Sequence, residues 1–211
     1  MNEAQEKFLH EVERFRTWAS TVPKERSAEW ESEYPEWGDA YKATFVFLES
    51  VVIEELDEKT KDELLFILAA DNECEMISDE LEKYPNKLIH LAQTAISSVH
   101  KDAKWQLATA LGRLSVQTPQ SESVLSMFAT DDYEYTRRRA LRALAEFNSP
   151  LVRGLIEPAW SSNDEYQRMG VLEALFMVQS PELERYLKLA EEDGREYLAR
   201  YAAKIRSGET E

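Results

Sequence analysis

The chain has 211 residues and carries 41 acidic against 25 basic side chains, so its formal net charge is −16. That charge argues against binding to nucleic-acid phosphates or to anionic lipid, since both call for a basic surface. With 43% hydrophobic residues the chain can bury a core, and its single cysteine, Cys74, excludes an internal disulfide. The charged start lacks the apolar segment of a signal peptide, and no long apolar run predicts a membrane span. We therefore expect a cytoplasmic protein.

Helical spacing is nearly continuous along the chain, and the segment 1–70 predicts three helices. An amphipathic helix ends before Pro23, a second spans 39–56, and a third spans 60–70 with Thr60 as its cap. The near-continuous apolar run 45–53 predicts burial of the second helix on more than one side. Clustered aromatic residues either cover the apolar face of the first repeat or bind a partner. They are Trp18, Trp30, Tyr34, Trp37 and Tyr41.

From Asp71 onward the chain repeats with a period of about 31 residues. The segment 135–144 matches 166–175, and further copies lie at 103–114 and, more weakly, at 73–81. Because a single helix pair cannot bury its apolar faces alone, this pattern predicts stacked pairs. Three prolines recur at the same interval and are expected in the first turn of a helix: Pro119, Pro150 and Pro181.

These repeats resemble short HEAT repeats of the HEAT-like or phycobilisome-lyase-like kind. Residues 110–114 match the end of the family's first helix, and Arg137 and Arg168 fall on its arginine position. Asp132 and Asp164 precede these arginines, at the place of the family's turn acid. The resemblance therefore covers both the apolar pattern of the repeat and its characteristic charged positions.

The resemblance extends over about residues 71–205 and implies an all-α, right-handed solenoid of about five helix pairs. We expect residues 1–70 to form an N-terminal helical cap and residues 71–206 to form one continuous HEAT-like array. In such an array the second helix of each pair lines the inner face, which commonly binds other macromolecules. This register places the following residues there: Lys87, His90, Ser126, Arg153, Glu157, Arg185 and Lys188.

Shape and charge together favour a non-enzymatic module that binds another protein with a basic surface. One version is an immunity or inhibitor protein that neutralises its basic partner. The alternative is an enzyme or enzyme accessory, since some HEAT-like proteins act as chromophore lyases or DNA glycosylases. We find no catalytic motif, metal-ligand spacing or cofactor motif in the sequence, and expect none of these sites.

The negative charge is unevenly distributed along the chain. Residues 1–100 carry 10 basic and 23 acidic groups, whereas residues 101–211 carry 15 basic and 18 acidic groups. The net charges of the two halves are therefore −13 and −3. If a basic partner docks by electrostatic attraction, we expect it at the N-terminal half.

The most basic stretch is an arginine cluster formed by Arg137–Arg139 and Arg142. One interpretation makes the cluster an anchor for an acidic partner or a phosphate. The other is structural, with Arg137 contacting the preceding turn acids and the remaining arginines paired with acids. Both interpretations remain open at this point.

Pro158 lies eight residues after Pro150, inside a predicted helix. A proline at this depth clashes with the carbonyl four residues back, which here belongs to Gly154. We therefore expect the helix to bend or stop near 154–158 and to redirect Trp160.

Overall fold

The computed structural model of the chain describes residues 2–21 and 30–208. Across these residues the chain forms twelve α-helices and two short 3-10 turns, with no β-strand, and the prediction of an all-α fold is confirmed. The first six helices are α1 (Glu3–Thr21), α2 (Trp37–Ser50), α3 (Glu58–Ala70), α4 (Met76–Glu82), α5 (Pro85–Ala95) and α6 (Lys101–Arg113). The last six are α7 (Pro119–Phe128), α8 (Glu134–Glu146), α9 (Val152–Ser161), α10 (Glu165–Met177), α11 (Leu183–Asp193) and α12 (Glu196–Ser207).

The helices group into two compact units, Met1–Ala110 and Leu111–Glu211, called here the N-terminal and the C-terminal unit. The predicted division into a cap of residues 1–70 and an array of residues 71–206 stays a prediction. Pro23 and the start of the aromatic connector, within residues 22–29, lie outside the described residues, although α1 ends before Pro23 as expected.

In the N-terminal unit, α1 packs on α2 and α3, and α5 packs on α3 and α4. The rings of Phe8 and Phe47 stack at the junction of α1 and α2 with their centroids 4.4 Å apart, and both side chains are fully buried. Large aromatic side chains therefore supply much of the apolar surface that this unit buries.

Both ends of the α2–α3 connection differ from the prediction. α2 ends at Ser50 rather than at Leu56, because the β-branched run that follows favours extended backbone and Val51 takes ψ 156°. The next helix, α3, begins at Glu58, and its cap is Asp57, whose side chain accepts a hydrogen bond from the Thr60 amide at 2.8 Å. Asp is a stronger N-cap than Thr, so the helix starts earlier than expected.

The C-terminal unit repeats its geometry at the interval seen in the sequence. α8, α10 and α12 begin at Glu134, Glu165 and Glu196, and each start follows the previous one by exactly one sequence period. α10 packs directly against both α8 and α12, and α9 and α11 each pack on the same α10. Small buried side chains on α8 and α10, among them Ala140 and Ala174, let these helices approach closely.

The turns of the C-terminal unit repeat as well. Asn148 and Gln179 occupy equivalent positions in successive repeats, and both have positive φ, 55° and 50°, at the ends of α8 and α10. In each turn the amide of the following serine donates to a carbonyl five residues back, at 3.0 Å for Ser149 and 2.9 Å for Ser180. This bond closes a Schellman motif and satisfies a carbonyl at the helix end.

The three prolines differ in their positions relative to the helices. Pro119 occupies the first position of α7, as predicted, behind a capping box of Thr118 and Ser121. Pro150 and Pro181 instead lie two residues before α9 and α11 begin. α9 also continues through Pro158 to Ser161, so it does not stop there.

Tertiary contacts hold the end of α9 beyond its proline. The carbonyl of Trp160 accepts a hydrogen bond from Arg168 Nε at 2.9 Å, and the Trp160 ring is buried against Tyr186 with centroids 5.0 Å apart. These contacts offset the hydrogen bond that proline removes from the helix.

Candidate functional site

The first two helices leave a groove of about 650 Å³ between them. Its apolar lining consists of Ala4 on α1 and of Ala43 and Val46 on α2. Ala4 and Ala43 are small and fill little of the space between the two helices, which are joined by the buried Phe8–Phe47 stack. Val46 is 48% exposed in the middle of α2, so an apolar side chain of the groove faces water.

Carboxylates line both sides of this groove. Glu3, Glu6 and Glu11 come from α1, Asp39 comes from the first turn of α2, and the lysines that line the groove are Lys7 and Lys42. Four carboxylates against two ammonium groups give the groove a negative potential. We call this surface, with its apolar lining, the acidic groove.

Local ion pairs already occupy part of the acidic groove. Lys7 Nζ lies 2.7 Å from Glu3 Oε1, and this contact lowers the pKa of Glu3. Arg14 Nη1 lies 2.8 Å from Glu11 Oε2 and 3.8 Å from Asp39 Oδ2. The Lys7–Glu3 pair is exposed and therefore weak, so a partner's cation can replace it at little cost. The Arg14–Glu11 pair is half-buried and remains part of the folded unit.

The predicted inner-face residues divide between the two units. Arg153 and Glu157 lie one turn apart on α9, and Arg185 and Lys188 lie on α11. Tyr186 links the two helices, because its hydroxyl donates to Glu157 Oε2 at 2.7 Å and its ring lies 5.1 Å from the Arg185 guanidinium. Burial and the Glu157 contact raise the pKa of Tyr186 to about 12. Tyr186 thus joins two of the predicted residues, Glu157 and Arg185, on neighbouring helices.

Arg153 also lines a second cavity of the C-terminal unit, of about 430 Å³. This cavity lies between the repeated turns 148–150 and 180–182, and its apolar lining includes Val152 and Ile156. The remaining predicted residue of this unit, Ser126, donates to the Ser123 carbonyl of its own helix at 2.7 Å.

Lys87 and His90, the predicted residues of the N-terminal unit, have structural partners. Lys87 Nζ donates to the carbonyls of Leu48 and Glu49, and so caps the end of α2. His90 Nε2 lies 3.0 Å from Glu54 Oε1. The cap explains how Lys87 is used, and it also helps to fix the end of α2 at Ser50.

The arginine cluster adopts the structural arrangement. Arg137 Nη1 donates to the backbone carbonyls of Asp131 and Asp132, at 2.8 and 2.9 Å, rather than to their carboxylates. Arg168, one repeat later, donates in the same way to the carbonyl of Trp160. Arg138 and Arg142 make ion pairs with acids of α8 and α10: Arg138–Glu134 at 2.9 Å, Arg142–Glu146 at 3.1 Å and Arg142–Glu173 at 3.0 Å. Arg139 Nη2 donates instead to the Tyr135 hydroxyl at 2.5 Å.

The N-terminal aromatic residues pack on one another around the buried ring of Phe15. Tyr34 meets Phe15 edge-on with centroids 5.1 Å apart, and Trp37 lies 5.2 Å from it. Trp18 and Trp30 stack at 5.7 Å. This mutual packing favours the interpretation that these residues cover apolar surface, because few of their faces are left for a partner.

Asp71 is the most perturbed carboxylate of the N-terminal unit. It is 2% exposed, and its oxygens accept hydrogen bonds from the Tyr41 hydroxyl at 2.7 Å and from the Ile77 amide at 2.8 Å. Burial raises the pKa of Asp71 to about 6 and raises that of Tyr41 as well. Asp71 therefore ties α2 to the start of α4, while retaining a proton to unusually high pH.

Two further kinds of site are absent from the described part of the chain. Within residues 2–21 and 30–208, no three His, Cys, Asp or Glu side chains converge in a way that could hold a metal ion. No helix of these residues combines the length and apolar character needed to cross a lipid bilayer.

Comparison with models of known protein families gives no match for this chain. Curated proteins and solved structures likewise give no match. The resemblance to HEAT repeats therefore stays a prediction that depends on the residues themselves.

The acidic groove contains none of the residues predicted for partner binding. It lies between α1 and α2, two helices that no repeat pattern in the sequence relates. The apolar run 45–53 was a partial sequence signal for the groove, because it includes Val46. It predicted burial, however, whereas Val46 and Val52 are 48% and 52% exposed.

Proposed function

We propose that the protein is a non-enzymatic, helical-repeat module that binds another protein with a basic surface. The observation that carries this proposal is the charge of −13 on residues 1–100, together with an acidic groove between the first two helices of that segment. Like charges that are concentrated on one half of a protein steer an oppositely charged partner toward it and orient the encounter. An inhibitor that neutralises a basic protein is one form of this function.

The proposed architecture is a right-handed, HEAT-like solenoid over residues 71–206. The C-terminal unit supports it through helices that begin at a constant interval and turns that repeat their hydrogen bonds. Arg137 and Arg168 support it too, because both bind carbonyl groups near the end of the preceding helix. Modules of stacked helix pairs present long exposed surfaces, which suits recognition of a macromolecule.

We place this function in the cytoplasm. The support is Cys74, the single cysteine of the chain, which is an exposed free thiol. Such a thiol suits a reducing compartment, whereas small secreted domains usually pair their cysteines.

The experiment is affinity capture from an extract of the native cell, with the tagged full-length chain as bait. We expect one protein of basic isoelectric point to be retained in stoichiometric amount at about 50 mM salt and lost at about 500 mM, where charges are strongly screened. Light scattering on the reconstituted pair then measures the mass of the complex. Failure to retain any partner at low salt, together with turnover of a small molecule, would contradict the proposal.

A further inference from the structure

Resting on the function proposed above, we propose that the acidic groove receives an amphipathic helix of the basic partner. That helix carries a stripe of apolar residues with lysine or arginine on both sides of it. Helix-in-groove recognition of this kind is read through apolar anchors at positions i, i+3, i+4 and i+7 of the bound helix.

The apolar lining supplies the contact for the stripe. Ala4 and Ala43 leave room between α1 and α2, and Val46 exposes 48% of its surface toward that room. An apolar side chain that docks there removes water from Val46 and from itself, which is the main source of affinity at protein surfaces. A volume of about 650 Å³ accommodates several side chains of a docked helix.

The carboxylates of the groove select the charge of the occupant. Glu6 on α1 and Asp39 on α2 stand on opposite sides of the apolar lining, and both are exposed. A helix in the groove therefore places its two flanks near carboxylates, which favours Lys or Arg on both flanks. An acidic helix or a phosphate would meet repulsion at the same positions.

A second copy of this chain is a poorer occupant. Its helix α8 carries four arginines, and three of them, Arg137, Arg138 and Arg142, already bind acids or carbonyls of their own unit. The apolar side of α8 is also buried, with Ala140, Leu141 and Leu144 almost fully covered. The charge of the groove thus points to another protein.

The test uses a fluorescein-labelled peptide of about 18 residues, or five helical turns, with Leu and Ala on one face and Lys on both flanks. A matched peptide carries Glu in place of every Lys. We expect the Lys peptide to bind the full-length chain in fluorescence anisotropy, with affinity that falls as salt rises, and the Glu peptide not to bind.

Two valines separate groove binding from general attraction to an acidic protein. Val46→Ser removes the apolar lining and is expected to weaken binding of the Lys peptide about tenfold. Val52→Ser is the matched control, because Val52 is 52% exposed, follows α2 directly and does not line the groove. We expect the control to bind within about twofold of the wild type, with both variants retaining wild-type helical content by circular dichroism.

Two double substitutions of acidic residues separate the effect of charge position from the effect of total net charge. Glu6→Lys with Asp39→Lys is expected to weaken binding at least about tenfold. Glu55→Lys with Glu192→Lys changes the net charge equally at exposed sites outside the groove. This second pair is expected to weaken binding less than about threefold, as a general reduction of attraction would.

These outcomes distinguish a failure of the groove proposal from a failure of the proposed function. If the Val46→Ser and Val52→Ser variants bound the Lys peptide equally well, the groove would not be the binding site. Electrostatic binding of a partner would then still stand. Absence of peptide binding by a chain that still captures a basic partner from extract would lead to the same conclusion. Capture of no partner at all would overturn the function itself. A dimer in light scattering that Val46→Ser dissociates would assign the groove to a second copy and overturn the proposal.

Discussion

The two units of this protein bury their surfaces by different means. In the C-terminal unit, helices of similar length begin at a constant interval, and small side chains such as Ala140 and Ala174 set their spacing. In the N-terminal unit, stacked rings and one buried carboxylate hold helices of unequal length. The first arrangement needs many modest contacts of the same kind, and the second depends on a few large ones.

This difference determines where each unit tolerates change. A repeated contact is supported by its neighbours, so the loss of one copy leaves similar contacts on both sides. A unique aromatic contact has no such support, and its removal leaves a cavity that the surroundings fill only in part. The difference also suits the proposed function, in which the acidic groove of the N-terminal unit binds the partner.

The largest effect is expected from Phe47→Ala in the N-terminal unit. The substitution removes a ring stacked on Phe8 and should lower the free energy of unfolding by about 3–5 kcal/mol. Leu172→Ala is the matched change in the C-terminal unit, where the side chain is also fully buried, and should cost about 2–4 kcal/mol. Hydrogen exchange should report the loss of protection within the substituted unit. A smaller effect of Phe47→Ala than of Leu172→Ala would contradict the contrast drawn between the two cores.

Arg168→Ala tests whether the repeated arginine is structural. The side chain binds the Trp160 carbonyl, pairs with Asp193 and lies over the Trp160 ring at 4.9 Å. We expect a loss of about 2–3 kcal/mol in urea unfolding, because the substitution removes the hydrogen bond to the Trp160 carbonyl, one of the ion pairs of Asp193 and the packing on the Trp160 ring. Arg137→Ala, one repeat earlier, should cost about 1–2 kcal/mol, since Arg137 binds only backbone carbonyls in the described contacts.

Arg185→Ala is the control for this pair, because the Arg185 side chain is 62% exposed and its nearest acid lies 4.0 Å away. It should change stability by no more than about 0.5 kcal/mol. If Arg168→Ala were as mild as this control, the shared arginine position would not hold the repeats together.

The sequence predicts the C-terminal unit better than the N-terminal one. The period of the repeat predicts equivalent helices at a constant interval, because a repeat encodes the same local contacts each time, and α8, α10 and α12 begin at that interval. In the N-terminal unit, the end of α2 at Ser50 depends on Lys87, which binds carbonyls at that end from a distant helix. No local pattern contains this contact. The predicted boundaries of α2 and α3 were nevertheless wrong in part because two local signals were not used, the β-branched run after Ser50 and the N-cap Asp57.

The candidate site shows the same limit. The distribution of charge in the sequence alone predicts that a basic partner binds the first half of the chain. The groove, however, depends on which faces of α1 and α2 meet, so Ala4, Ala43 and Val46 acquire a shared role only in three dimensions. The register of the repeats assigns residues of α9 and α11 to one face, which stays a prediction, and it did not predict the hydrogen bond between Tyr186 and Glu157 that links the two helices.

The two units should respond to acid in opposite directions. The folded N-terminal unit raises the pKa of Asp71 to about 6, above the unfolded value of about 3.9. The folded state therefore binds a proton more tightly, and stability should fall by about 2 kcal/mol as pH rises from about 4 to about 6. In the C-terminal unit, hydrogen bonding to Arg195 lowers the pKa of Asp193 to about 2. The stabilisation that ionised Asp193 gives to the folded state is present above about pH 4 and is lost as pH falls toward 2.

Urea unfolding between pH 2 and pH 7 measures both effects. Asp71→Asn should remove the rise in stability between pH 6 and pH 4, because its amide has no proton to gain in this range. Asp193→Asn should keep the rise in stability between pH 6 and pH 4 and should reduce the loss of stability below about pH 4. If the stability of Asp71→Asn still rose between pH 6 and pH 4, another group would cause the rise. That result would contradict the role given to the buried Asp71 carboxylate.

The smallest effects come from glycine, and here the same substitution should have opposite signs. At Gly112 a Cβ would lie 3.0 Å from the Ala143 Cβ and 2.8 Å from Glu146 Oε2, so close helix packing leaves it little room. Gly112→Ala should therefore cost about 1–2 kcal/mol, even though alanine favours a helix by about 1 kcal/mol. At Gly154 no atom lies within 4 Å of the added carbon, and Gly154→Ala should stabilise by about 0.5 kcal/mol. Gly38 of α2 is equally open and is the control from the N-terminal unit. Stabilisation by all three substitutions would show that the repeated helices do not need their close approach.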